Sequence, residues 1–193
     1  MTIISVILSD SEETKMKLKK YFIAIVIPPP LFAEIENIKQ ELFAKHNLKG
    51  ALRSPAHITL HRPFEWKEEK ENLLIEKLKN FEFKSPFEIT LHDFSFFEPR
   101  VIYVNVLPNE TLNQLHTQLT SFAKRELKLF NEADDLRGFH PHVTVAFRDL
   151  KKPKFYELQK EFSGRKLNGV FSYAGFSLLK LEGKWEEVIA FTS

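Results

Sequence analysis

The 193-residue chain contains no cysteine, only six glycines, and nearly equal charge of both signs. Without cysteine there is no disulfide framework, no zinc ribbon and no thiol nucleophile, and the composition fits a reducing compartment. The sequence carries no glycine-rich phosphate loop, no serine nucleophile elbow and no paired-carboxylate motif. No stretch approaches the ~20 apolar residues of a membrane helix. The apolar start Met1–Leu8 lacks a basic region and runs into Asp10-Ser11-Glu12-Glu13, a poor signal peptide, so the chain reads as cytoplasmic, with no membrane contact. Lys plus Arg number 28 against 26 Asp plus Glu, a net charge of +2. That excludes a generally polybasic nucleic-acid coat and leaves room for a local basic cleft. What is abundant is apolar surface: 43% of residues are hydrophobic and 19 are phenylalanine, enough for a substantial core.

Residues 1–19 read as an N-terminal extension, with 1–15 an extra edge strand, an arm or an over-long start ahead of Met16. Beyond them the periods are legible. Strands are expected at Tyr21–Ile27, Ala56–Leu60, Phe87–Phe97, Val101–Val106, Phe139–Phe147, Val170–Leu181 and Glu187–Phe191. Helices are expected at Leu31–His46, Glu68–Phe81, Leu112–Leu129 and Pro153–Phe162, the last opening on the proline that a first turn tolerates. The order repeats, and so do short segments. Ile25-Val26-Ile27-Pro28 matches Asn105-Val106-Leu107-Pro108, His57-Ile58-Thr59-Leu60 matches His142-Val143-Thr144-Val145, and Phe94-Ser95-Phe96-Phe97 matches Phe176-Ser177-Leu178-Leu179. The expectation is an α+β, duplicated, bilobal domain over 20–193: two antiparallel-rich sheets with helices on their outer faces, flanking a central cleft, with lobes of roughly 20–100 and 101–193. A monomer is expected.

Seven histidines and nine threonines supply roughly 0.3 His-x-Thr tripeptides by chance, so two in equivalent apolar strands are a signal. Residues i and i+2 of a strand share a face. His57 with Thr59, and His142 with Thr144, therefore leave one side of a strand whose other side is apolar. Two imidazoles near pKa 6.5 can accept one proton and donate another, while the hydroxyls hydrogen-bond non-bridging phosphate oxygens. The chemistry this suits is in-line phosphoryl transfer with neither metal nor cofactor.

The paired motifs Pro55-Ala56-His57-Ile58-Thr59-Leu60 and Phe139-His140-Pro141-His142-Val143-Thr144-Val145 resemble those of the two-histidine (2H) phosphoesterases, in particular the 2′-5′ RNA ligase / RNA cyclic-phosphodiesterase branch. The resemblance runs from about residue 20 to the C-terminus. It implies a duplicated bilobal fold, a central cleft and metal-free opening of 2′,3′-cyclic phosphates. The implied partner is an RNA or nucleotide carrying a 2′,3′-cyclic phosphate or a 2′–5′ linkage. The same site run in reverse would be a 2′-5′ RNA ligase.

Further candidates surround the motifs. By strand parity Arg148 shares a face with His142 and Thr144 and is the first choice for a phosphate contact, with Arg53 the second. In the first lobe the same parity turns His61 toward the cleft and Arg62 away. Arg137, Lys151, Lys152 and Lys154 add positive charge around the second motif. Tyr103 and Phe64, with Phe139 and Phe147, are candidates for stacking on a base. Two other classes compete. One is an RNA-binding module whose histidines only touch phosphate. The other is a metal-dependent hydrolase drawn from His140 and His142 with His57 or His61 and Asp134 or Asp135.

Overall fold

A computed structural model describes residues 17–130 and 138–192. The expectations for residues 1–15, Asp134, Asp135 and Arg137 lie outside the described residues. Among the described residues, eight strands and four helices follow as β1 (Leu18–Val26), α1 (Leu31–His46), β2 (His57–Lys67), α2 (Glu71–Leu78), β3 (Glu88–Phe97), β4 (Val101–Val106), α3 (Glu110–Phe122), β5 (His142–Ala146), α4 (Lys152–Ser163), β6 (Asn168–Ser172), β7 (Gly175–Glu182) and β8 (Lys184–Thr192). Local chemistry explains the helix ends. Asn109 caps α3 by accepting the Leu112 N–H at 2.9 Å. Asn47 closes α1 in the left-handed region at φ 55°.

The strands form two four-stranded antiparallel sheets, ordered β2-β1-β7-β8 and β5-β4-β3-β6. The expected split into consecutive halves, 20–100 and 101–193, does not follow the sheets. The repeat is real at the level of strands: β1, β2 and β3 correspond to β4, β5 and β7. The third strand of each repeat is exchanged. β3 pairs with β4, and β7 pairs with β1. The Glu98-Pro99-Arg100 turn is the cause, because a connection this short can only join antiparallel neighbours. The single strand expected at Val170–Leu181 is likewise two. The chain leaves the second sheet after Ser172 and joins the first at Gly175. Gly175 sits at φ +137°, where a Cβ would collide with the Phe191 carbonyl, so the crossing needs glycine.

One face of each sheet is greasy and packs the helices. Tyr21, Ile23 and Ile25 of β1, with Ile27 just past its end, join Ile58 and Leu60 of β2 in a core shared with Ile35 and Ile38 of α1, Leu74 of α2, Leu115 of α3 and Leu158 of α4. The alternate residues Phe22 and Ala24 point the other way and form a small second cluster with Leu179, against which Trp185 packs. That second face is the wall of the cleft.

Candidate active site

The cleft has a volume of about 820 Å³, and His57, Thr59, His142 and Thr144 all line it. Period-2 alternation puts them there: Ile58 and Val143 between them are fully buried. The two rings are held the same way. Nδ1 of His57 lies 2.7 Å from the Pro55 carbonyl, and Nδ1 of His142 lies 2.8 Å from the His140 carbonyl. A carbonyl only accepts, so each Nδ1 carries the proton and each Nε2 of the neutral ring is left as an acceptor. Phe22 packs on the His57 ring at 4.8 Å, and Phe97 stands edge-on to His142 at 5.0 Å.

This packing has an electrostatic result. Burial pushes His57 down to about 4, helped by the positive charge of Lys39 and by His142. Burial also lowers His142, with His140 adding to the effect. Lys39 is itself 1% exposed, on the inner face of α1, where its ammonium donates to Glu36 at 2.7 Å and to the Ser54 carbonyl at 3.0 Å.

Beyond the threonines both motif strands break step. In β2 the partners run Ala24 to Thr59 and then Ile23 to His61, so Leu60 is unopposed. In β5 they run Tyr103 to Thr144 and then Ile102 to Ala146, so Val145 is unopposed. These matched β-bulges reverse the alternation. His61 therefore turns into the core, 1% exposed and edge-on to Phe64 at 5.4 Å, and Arg62 lines the cleft, the opposite of the parity expectation. Arg148 does reach the cleft, but not by parity. It lies past the strand end at φ 62°, beside Phe147, its guanidinium 5.0 Å from that ring.

The remaining candidates divide. Tyr103 is buried beneath Phe97, ring centres 4.4 Å apart, and its hydroxyl meets His140 Nε2 at 3.2 Å, so it buttresses the second motif and offers no face for a base. Phe64 stacks on Tyr21 at 6.1 Å on the core side and is not part of the cleft wall. Arg53 is exposed, donates to the Gly183 carbonyl at 3.3 Å and is not one of the residues that line the cleft. Phe139 and Phe147 line the cleft, Phe139 also lying flat on His116 at 3.8 Å. Lys154 pairs with Glu157 at 2.6 Å on α4. Among the described residues no group of three His, Asp or Glu is arranged to hold a metal ion. Sequence reasoning missed Phe22, Phe97 and Trp185 as wall residues. The even-numbered face of β1 carried the signal for Phe22, whereas Trp185 comes from a hairpin that only the strand exchange brings to this sheet.

Among the described residues no helix is long and apolar enough to cross a membrane. A sequence profile described as the 2′-5′ RNA ligase superfamily matches residues 27–185. A Geobacillus kaustophilus protein named "Putative phosphoesterase" is 31% identical over 166 residues, covering 83% of this chain and 89% of that one. In three dimensions the fold is similar to Escherichia coli LigT crystallised with NADP+, at a TM-score of 0.59 and 24% identity, covering 91% of this chain and 98% of LigT. It is also similar to a Thermus thermophilus protein at 0.57 and 19%, covering 90% and 97%. With the profile spanning both His-x-Thr strands and the cleft between them, the chain belongs to the 2′-5′ RNA ligase superfamily of two-histidine phosphoesterases.

Proposed function

We propose that the protein is a metal-independent phosphoesterase that opens RNA-type 2′,3′-cyclic phosphates or cleaves 2′–5′ linkages, with His57 and His142 as its acid–base pair. The observation that carries this reading is the matched pair of imidazoles in one cleft, each fixed through Nδ1 so that Nε2 is free for proton transfer. In hydrolysis one neutral imidazole takes a proton from water as the water oxygen bonds to phosphorus. The other, protonated, gives its proton to the ribose oxygen as the P–O bond breaks. Charge balances, and no metal is required by the scheme. Thr59 and Thr144 donate to the non-bridging oxygens, with Arg148 and Arg62 as the nearby cations of the wall. LigT has been crystallised with 3′-AMP and with phosphate, which supports a nucleotide phosphate as the ligand class here.

The test is to incubate the protein with nucleoside 2′,3′-cyclic phosphates and a 2′–5′ dinucleotide in excess EDTA and identify the monophosphate formed. Turnover that survives chelation and yields a single isomer supports the reading. Turnover that appears only on adding a divalent cation would refute it. Binding without turnover would favour an RNA-binding module, and joining of RNA ends over hydrolysis would favour a ligase.

A further inference from the structure

The two loops that flank the motifs are tied together by one carboxylate. Asp149 follows the second motif, and its Oδ2 accepts the backbone N–H groups of both Lys49 (2.7 Å) and Gly50 (3.0 Å), which precede the first motif. The Asp149 N–H donates at 2.8 Å to the Phe147 carbonyl two residues earlier, so residues 147–149 make a γ-turn centred on Arg148. Arg148 has φ 62°. A γ-turn with positive φ at its centre is the rare, strained form, and an arginine adopts it only where the surroundings impose it. The surroundings are visible. A Cβ on Gly50 would lie 2.5 Å from the Phe147 carbonyl oxygen and 2.8 Å from Asp149 Oδ1, so the first-motif loop presses backbone to backbone against the turn. Asp149 Oδ1 is buried and makes no hydrogen bond among the described residues, an arrangement held at some cost in stability.

We propose that Asp149 and Gly50 form a latch between the two motif loops whose purpose is to hold Arg148 in the strained turn that presents its guanidinium to the phosphate. Asp149 is thus a positioning residue. The latch rests on the reading of Arg148 as a phosphate contact, and it explains why a cation past the end of β5 still faces the cleft. Without the carboxylate the turn relaxes to an ordinary negative φ and Arg148 swings away, while the histidines, held by their own carbonyls, stay where they are.

The experiment measures inorganic phosphate binding to the full chain by titration calorimetry, for the wild type and for R148A, D149A, D149N, G50A and R148A/D149A, with thermal melts alongside. R148A should bind roughly 10- to 100-fold more weakly, the range for one hydrogen bond to a charged group. D149A and G50A should show a similar loss, D149N should recover part of it as a neutral acceptor, and R148A/D149A should be no worse than R148A. A merely structural role predicts lower melting temperatures with unchanged phosphate affinity in D149A, and that result overturns the latch. So does a double variant weaker than R148A by the full D149A factor. If D149A is too unstable to assay, G50A and D149N carry the same comparison. Wild-type protein that binds phosphate through Arg148 yet opens no cyclic phosphate refutes the proposed function and leaves the latch standing. Phosphate affinity indifferent to Arg148 overturns the latch whatever the turnover.

Discussion

His57 and His142 are both held below the ordinary imidazole pKa, so at neutral pH the cleft carries two neutral rings. Acid catalysis needs one of them charged. The sign of the shift says how that charge arrives: a phosphate anion placed between the rings favours the imidazolium and raises its pKa, so binding should draw a proton from solution. Phosphate titrated at pH 7 in two buffers of different ionisation heat should show net proton uptake; release, or no transfer, would mean that neither ring is the acid. The same depression means that catalysis by the free protein is favoured at mildly acid pH, and that folding loses stability as pH falls from 6.5 toward about 4. H57A and H142A should each lose ~10²–10⁴-fold in kcat/KM, and the double variant less than the product, as the proposed acid–base pair requires. T59A and T144A should cost less than either. These four residues are legible in the sequence because one strand parity and one repeat place them. The ring orientations are not, since they depend on the Pro55 and His140 carbonyls.

Parity arguments last only as long as the strand is regular. Up to Thr59 and Thr144 the alternation holds, and the sequence predicts both faces correctly. At Leu60 and Val145 an unopposed residue enters each strand and the next side chains change sides, until a second shift in β2, between His61 and Phe64, returns Phe64 and Trp66 to the core side. Neither bulge has a glycine to announce it, so parity assigns His61 and Arg62 to each other's faces. The repeat itself offers a check, because Arg62 and Phe147 occupy equivalent places and both line the cleft. R62A should therefore raise KM roughly 10-fold, as loss of a charged hydrogen-bond donor would. H61L should lower the melting temperature and leave KM alone. Steady-state kinetics on the two variants decide between bulge and parity: a KM effect at His61 and none at Arg62 would mean the strand stays regular in solution.

At the scale of the molecule, the exchanged third strands decide how the protein comes apart. The first sheet takes β1 and β2 from one half and β7 and β8 from the other, and the second takes β3 from the first half and β4, β5 and β6 from the other, so neither 20–100 nor 101–193 contains a complete sheet. The sequence shows the duplication but not the exchange, since a short match reads the same whichever sheet the strand joins. What decides the matter is the turn at Glu98–Arg100 and the glycine at 175, both long-range in their effect. One hydrophobic cluster runs through both sheets and helices α1 to α4, which predicts that the lobes unfold as a single cooperative unit. Leu178 on β7 tests this, because it belongs to the second repeat and is fully buried in the first motif's sheet, opposite Ile23. L178A should cost about 2–5 kcal/mol. It should lower one unfolding midpoint, the same by circular dichroism and by the fluorescence of Trp66 and Trp185. A variant that melts in two steps, with only part of the helix signal lost in the first, would show that the lobes unfold separately despite the strand they trade.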